Sequence, residues 1–269
     1  MNISVILTAI ATFVTFNLLV PFEKTFAGPI YLAKSNISIL NAVNPPVKPS
    51  NSYSILLLGD SMMQFLGDGS DLKNYLKKYY PKKQINVLNY GFGSTNILSV
   101  PERLKKDTIR GSETLPPILE REFDVIFIES FGNNPLSDML LEEGLKKQTE
   151  ALDQIVKIIK TEKPESAIIF MATVSPNRER YAEGTVNLTT EERRKWADER
   201  ITYIKNHIEY AKVHKIPLLN VFEKSLDLSG DGNIDYINSQ DFIHPSPTGI
   251  LFISQEIADF IFKKRILPL

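Results

Sequence analysis

Two short stretches far apart in the chain carry residue types that could perform nucleophilic chemistry together. The first is Ile55-Leu56-Leu57-Leu58-Gly59-Asp60-Ser61-Met62, an apolar run that stops abruptly at Gly-Asp-Ser. A serine there falls between the carboxyl end of a strand and the amino end of a helix. In an open α/β sheet that is the crevice where ligands bind, next to backbone N–H groups able to stabilise negative charge. The second stretch is Asp241-Phe242-Ile243-His244-Pro245. An aspartate three residues before a histidine can accept the Nδ1–H of the imidazole and leave Nε2 to face a hydroxyl. Each stretch also has a plainer reading. Ser61 could be a helix cap, and Asp241 with His244 could simply organise a turn.

The other histidines, His207 and His214, lie seven residues apart in a helical segment with lysine neighbours. They are expected to be partly exposed surface residues. The chain has no cysteine, which excludes disulfides, thiolate metal sites, a cysteine nucleophile and a lipidated N-terminal cysteine.

Strand-like and helix-like stretches alternate from Ser54 onward. Strands are expected at Ser54–Leu58, Ile85–Asn89, Phe123–Glu129, Ala167–Val174 and Ile216–Val221. Between them, Leu72, Tyr75, Leu76 and Tyr79 repeat at helical spacing, as do Leu145, Thr149, Leu152, Val156 and Ile159. Thr189 and Glu192 form a capping box, followed by an inward face of Ala197, Ile201, Ile204, Ile208 and Ala211. Ser246-Pro247 opens a last helix carrying Ile250, Ile253, Ile257 and Ile261 and ending in Lys263-Lys264-Arg265. This alternation predicts one doubly wound α/β domain with a parallel sheet of about five strands, buried on both faces. Its strand C-terminal loops would be Gly59–Met62, Tyr90–Thr95, Ser130–Pro135 and the region after Val174.

Read together, Gly59-Asp60-Ser61, the glycine loop after the second strand, Gly132-Asn133-Asn134 after the third, and Asp241-x-x-His244-Pro245 resemble the four blocks of the SGNH, or GDSL, hydrolases. The resemblance runs from about Ser54 to Phe262 with the blocks in family order. It implies a flavodoxin-like three-layer fold and cofactor-free hydrolysis of esters, including lipids, thioesters and acetylated sugars. By position, Ser61 resembles the nucleophile, His244 the general base and acid, and Asp241 its orienting carboxylate. The oxyanion hole is implied at the Ser61 N–H, a block-two N–H and the Asn134 side chain. The block-two glycine of many members falls here on Ser94, with Gly93 one residue earlier. Gly93 is taken as the donor, with Ser94 close behind. The aspartate that usually follows the block-three asparagine is replaced by Pro135. The G-x-S-x-G elbow of α/β-hydrolases is absent.

Composition bounds the function. The 269 residues are 43% hydrophobic and 23% charged, with a formal net charge of −1, so nothing calls for nucleic acid or an anionic membrane as partner. Ile3 to Val20 is apolar apart from Ser4, three threonines and Asn17, and Thr25-Phe26-Ala27 makes an acceptable cleavage site. Residues 1–27 are therefore expected to be a signal peptide or an N-terminal membrane anchor, with cleavage after Ala27. Residues 28–52, with prolines at 45, 46 and 49, read as an extended linker, and 53–269 as the hydrolase domain. Asp227-x-Ser229-x-Asp231-Gly232 partly resembles a calcium loop, but Asn238 stands where a bidentate acid belongs. A solvated acidic loop is the preferred reading, with no metal and no cofactor required. The segment Asn177–Thr190 could cover the site, with Arg178, Arg180 and Tyr181 contacting a sugar or carboxylate, or could be a plain connection.

The expectation is an exported serine esterase acting on small-molecule or polysaccharide esters, with O-acetyl groups on glycans slightly favoured. An acyltransferase and a non-catalytic envelope- or carbohydrate-binding module are the alternatives.

Overall fold

The computed structural model describes residues 45–269. The apolar segment 3–20 and the expected cleavage site at Ala27 lie outside the described residues. The part of the expected linker that is described lies against the domain: Val47 is buried among the core side chains, and Ser50 O accepts a hydrogen bond from Lys83 Nζ (2.7 Å).

Among the described residues, seven strands and seven α-helices follow in order. They are β1 (Ser52–Gly59), α1 (Ser61–Gln64), α2 (Ser70–Tyr79), β2 (Gln84–Gly91), α3 (Val100–Arg103), β3 (Thr108–Arg110) and β4 (Glu113–Leu115), then β5 (Val125–Glu129), α4 (Leu141–Glu162), β6 (Ala167–Ala172), α5 (Thr190–Val213), β7 (Leu218–Asn220), α6 (Val221–Lys224) and α7 (Pro247–Lys263). Five strands form one sheet in the order β2-β1-β5-β6-β7, every neighbouring pair parallel. The short hairpin of β3 and β4 stands apart from it. It lies between the second and third expected strands, where no strand is expected.

Side-chain alternation along each strand builds three layers. Ile55, Leu57, Val125, Phe127, Ile169 and Met171 face α2 and α7, meeting Leu72, Leu76, Ile253, Ile257 and Ile261. Leu56, Leu58, Ile126, Ile128, Ile168 and Phe170 face the other way, against Leu152, Ile155, Val156 and Ile159 of α4 and Tyr210 and Ala211 of α5. The helix ends are chemically marked. Thr189 Oγ1 accepts from Glu192 N while Glu192 Oε2 accepts from Thr189 N, and Ser246 Oγ accepts from Gly249 N with Pro247 at the first helical position.

The strand order places a topological switch at β1, whose neighbours β2 and β5 are reached by connections running in opposite directions. Ligand sites in such sheets open at the carboxyl ends of the strands beside that switch. Ser61 and the loop after Glu129 both lie there.

His207 corrects the expectation of a surface histidine. It has no solvent exposure and stacks on Phe170 at 4.4 Å between ring centroids. It falls three residues after Ile204 and four before Ala211, on the inward stripe of α5. His214, at the end of the same helix, is half-buried as expected. Burial holds the His207 imidazole down to about 3, so it is neutral in the folded protein. An unfolded chain protonates this histidine below about pH 6.5. The folded state therefore loses stability as pH falls from there toward 3, by up to about 1.4 kcal/mol per pH unit from this group. We expect the stability difference between the wild type and His207→Phe to shift in favour of the variant as pH falls from 7 to 4.5. Urea unfolding at several pH values measures it, and parallel pH dependences would contradict the assignment.

Candidate active site

Gly59 and Gly91 are paired partners at the carboxyl ends of β1 and β2. A Cβ on Gly91 would lie 2.2 Å from Gln64 N, and one on Gly59 2.5 Å from Met63 Cγ. Only bare backbone at both positions lets the short helix α1 turn back over the strand ends. Asp60 caps that helix, its Oδ1 accepting from Met62 N at 2.8 Å. Ser61 follows as the first helical residue, almost fully buried, and borders a cavity of about 580 Å³.

Asp60 is itself fully buried, and its second oxygen accepts from Asn134 Nδ2 at 2.9 Å. This contact ties the loop after β1 to the loop after β5. Glu129, also fully buried, makes a second tie. Its Oε2 accepts from Phe131 N (2.9 Å) and Asp60 N (3.4 Å), and its Oε1 accepts from Ser130 Oγ (2.6 Å). Arg103 supplies the nearby positive charge, its guanidinium donating to the carbonyls of Gly59 and Tyr90 at the ends of β1 and β2. Burial lowers Arg103 to about 10, which leaves it charged at neutral pH. Burial raises Asp60 despite the N–H of Met62 and the Asn134 amide. Burial, followed by the charge of Asp60, pushes Glu129 well above the usual carboxylate range.

The histidine arrives from the other end of the chain. Asp241 Oδ1 accepts from the N–H groups of Ile243 (2.8 Å) and His244 (3.0 Å), and its Oδ2 lies 2.9 Å from His244 Nδ1. Burial acts to raise Asp241, but the His244 ring and the two backbone donors outweigh it and hold the carboxyl below its usual value. Phe65 stacks on the imidazole at 4.3 Å and 10° between planes. His244 borders the same cavity as Ser61, Asn134, Gly93 and Ser94. Ser61, Gly93, Ser94, Asn134 and His244 thus border one opening, with Asp241 held against the His244 ring.

The glycine loop differs in detail from the expectation. Gly93 N donates to Gln64 Oε1 at 2.7 Å, whereas Ser94 N donates to no protein atom among the described residues. Ser94 has φ 57°, the left-handed backbone that favours glycine. This agrees with its place at the position where the resemblance to the SGNH hydrolases implies glycine. Gln64, one turn after Ser61, gave no sequence signal beyond its place in the helix.

The segment 177–190 divides. Tyr181, Ala182 and Val186 border the cavity. Arg178 instead binds Asp198 and Asp231, and Arg180 lies over the Phe242 ring and pairs with Glu183. Those pairings occupy both arginines in holding the segment to α5 and to the loop that precedes Asp241. Asp231 accepts from Arg178, and Asp227 Oδ1 accepts from Ser229 and Asp231, so the acidic loop is hydrogen-bonded within the protein. Among the described residues no group of three His, Asp or Glu side chains is placed to hold a metal. Trp196 and Arg200, from the first half of α5, complete the cavity wall and were missed in the sequence.

Glu129→Gln should preserve the hydrogen bonds that a neutral carboxyl can form and change stability by less than about 1 kcal/mol. Glu129→Ala strips acceptors from two buried N–H groups and a hydroxyl and should cost about 3 kcal/mol or more. Urea denaturation at pH 7 compares them. A loss from Glu129→Gln as large as that from Glu129→Ala would mean that the buried group is ionised.

Comparison with known proteins adds the following. The family model described as GDSL-like Lipase/Acylhydrolase matches residues 55–257. Among solved structures, an acetyl xylan esterase superposes with a TM-score of 0.53 at 10% identity, covering 76% of this chain and 97% of that one. A candidate acylhydrolase from Bacteroides fragilis gives 0.54 at 14% identity, with 83% and 91% covered. A gut microbial diltiazem-metabolizing enzyme gives 0.55 at 17% identity, with 81% and 49% covered. At these identities the likeness is one of fold. No curated protein matches the chain.

Proposed function

Because the chain belongs to the GDSL-like lipase/acylhydrolase family, whose members cleave esters, we propose that Ser61, His244 and Asp241 carry that cleavage here through an acyl-enzyme. The observation behind this reading is the 2.9 Å contact of Asp241 Oδ2 with His244 Nδ1, on an imidazole that borders the same cavity as Ser61. Ser61 Oγ attacks the ester carbonyl as His244 Nε2 takes its proton. Asp241 stabilises the resulting imidazolium, which then protonates the departing alcohol. Water, activated in turn by His244, releases the acid and restores Ser61.

The tetrahedral oxyanion needs convergent donors. The Ser61 and Ser94 N–H groups donate to no other protein atom among the described residues, and Asn134 Nδ2 has a second hydrogen beyond the one given to Asp60. Ser94 is therefore preferred over Gly93, whose N–H is engaged by Gln64. We propose glycan O-acetyl groups as the substrate, since the cavity wall mixes Ser94, Asn133, Tyr181, Trp196 and Arg200 in place of a long aliphatic slot. The apolar run from Ile3 to Val20 supports export of the enzyme.

Ser61→Ala should remain folded, lose covalent labelling by a fluorophosphonate and lose nearly all turnover of p-nitrophenyl acetate. Asn134→Ala should lower kcat by about 10²–10³, the usual loss for one oxyanion donor. Wild-type turnover by a folded Ser61→Ala would remove these residues from the chemistry. Within a p-nitrophenyl series, kcat/KM should fall as the acyl chain lengthens beyond butyryl. N-terminal sequencing of the exported protein should begin at Gly28, and a start at Met1 would indicate an uncleaved anchor.

A further inference from the structure

The wall of the cavity that α5 contributes has no part in the proposed ester chemistry, yet its arginine is held by several hydrogen bonds. Arg200 lies between two rings, with its guanidinium carbon 5.3 Å from the centroid of Tyr181 and 5.0 Å from that of Trp196. Its Nε donates to Tyr181 Oη at 3.0 Å, and its Nη1 donates to Trp196 O at 3.2 Å and Glu199 Oε2 at 2.6 Å. The side chain is only 11% exposed, and Nη2 alone donates to no protein atom among the described residues. Tyr181 Oη also contacts Asn133 Oδ1 at 3.4 Å, so the arginine is braced against the loop after β5. Beside it the Trp196 ring is 37% exposed.

Charge points to the kind of group this wall accepts. Among the residues that border the cavity there is no aspartate, glutamate or lysine, and Arg200 is the one permanently charged side chain. A planar guanidinium held by Tyr181, Trp196 and Glu199, with Nη2 left to donate, borders the cavity pre-organised for a second carboxylate beside Glu199 at little entropic cost. An exposed indole alongside offers a flat apolar face for a sugar ring. We propose that Arg200 and Trp196 form a subsite for an acidic sugar, a hexuronate unit of an O-acetylated polysaccharide. Its carboxylate meets Arg200 Nη2 while its ring packs on Trp196. The proposal rests on the glycan esterase reading and narrows its substrate to acidic glycans.

Binding of deacylated oligosaccharides tests the subsite without using turnover. The probes are oligogalacturonate and its carboxyl-reduced, neutral counterpart, titrated calorimetrically into the wild-type protein. We expect the acidic form to bind at least tenfold more tightly at low salt, with the advantage shrinking as salt rises. Arg200→Met should weaken the acidic form at least tenfold and the neutral form less than threefold. Trp196→Ala, a substitution at a largely exposed ring, should weaken both. Equal wild-type affinity for the two forms, or binding of neither, overturns the subsite whether or not Arg200→Met folds. Turnover of p-nitrophenyl acetate by the wild type, measured alongside, decides the esterase reading separately. An enzyme that cleaves this ester but shows no preference for the acidic probe retains the reaction and loses the subsite.

Discussion

A carboxylate removed from water must find donors for both oxygens or the fold that buried it will not persist. Asp60 meets this condition in one way, with Met62 N on one oxygen and Asn134 Nδ2 on the other. The first contact starts the helix that presents Ser61. The second holds the loop after β5 at a set distance from that helix. The position of the serine and the orientation of the Asn134 amide are thus consequences of one desolvated group. The N–H of Asp60 is held in turn by Glu129, so the strand end and both loops are linked through two buried acids.

That linkage concentrates negative charge where a reaction would generate more of it, and the surroundings answer in two ways. Arg103 brings a buried positive charge to the carbonyl ends of β1 and β2, against the Phe92 ring. Glu129 is pushed toward its neutral form by burial and by Asp60. Glu129 pushed toward its neutral form, and Asp60 near Arg103 and two donors, both lessen the negative charge under Ser61. The Asn134 amide can then offer its remaining hydrogen to the cavity.

The far side of the opening depends on different forces. Gly132 lets the loop after β5 approach α5 closely, since a Cβ there would lie 2.2 Å from Ile204 Cγ1. This approach brings Asn133 to Tyr181 and sets the Arg200 guanidinium against the tyrosine hydroxyl. Phe65 and Ile243 supply the apolar edges, with Phe65 also stacked on the His244 ring. Asn134 and the proposed sugar-binding wall therefore share one frame, α5 packed on the loop after β5.

Much of this was determined locally and was therefore legible in the chain. Runs of Ile, Leu, Val and Phe bounded by Gly-Asp-Ser or Ser-Phe-Gly place the strands. A capping box at Thr189 and a Ser-Pro start at Ser246 place two helices. Both kinds of signal act within a few residues, as does the Asp241–His244 spacing. What the chain could not reveal depends on contacts between residues distant in sequence. Gln64 reaches Gly93 across 29 positions and takes the N–H expected to be open, while Asn134 reaches Asp60 across 74. Arg200 and Trp196 resemble any exposed helix residues until α5 is packed beside the β5 loop. His207 marks the boundary between the two cases. Its spacing from Ile204 and Ala211 already put it on the buried stripe, but its polarity and lysine neighbours suggested a surface. Packing against Phe170 decided the matter, because the apolar surface buried by the whole helix face outweighs the preference of one imidazole for water.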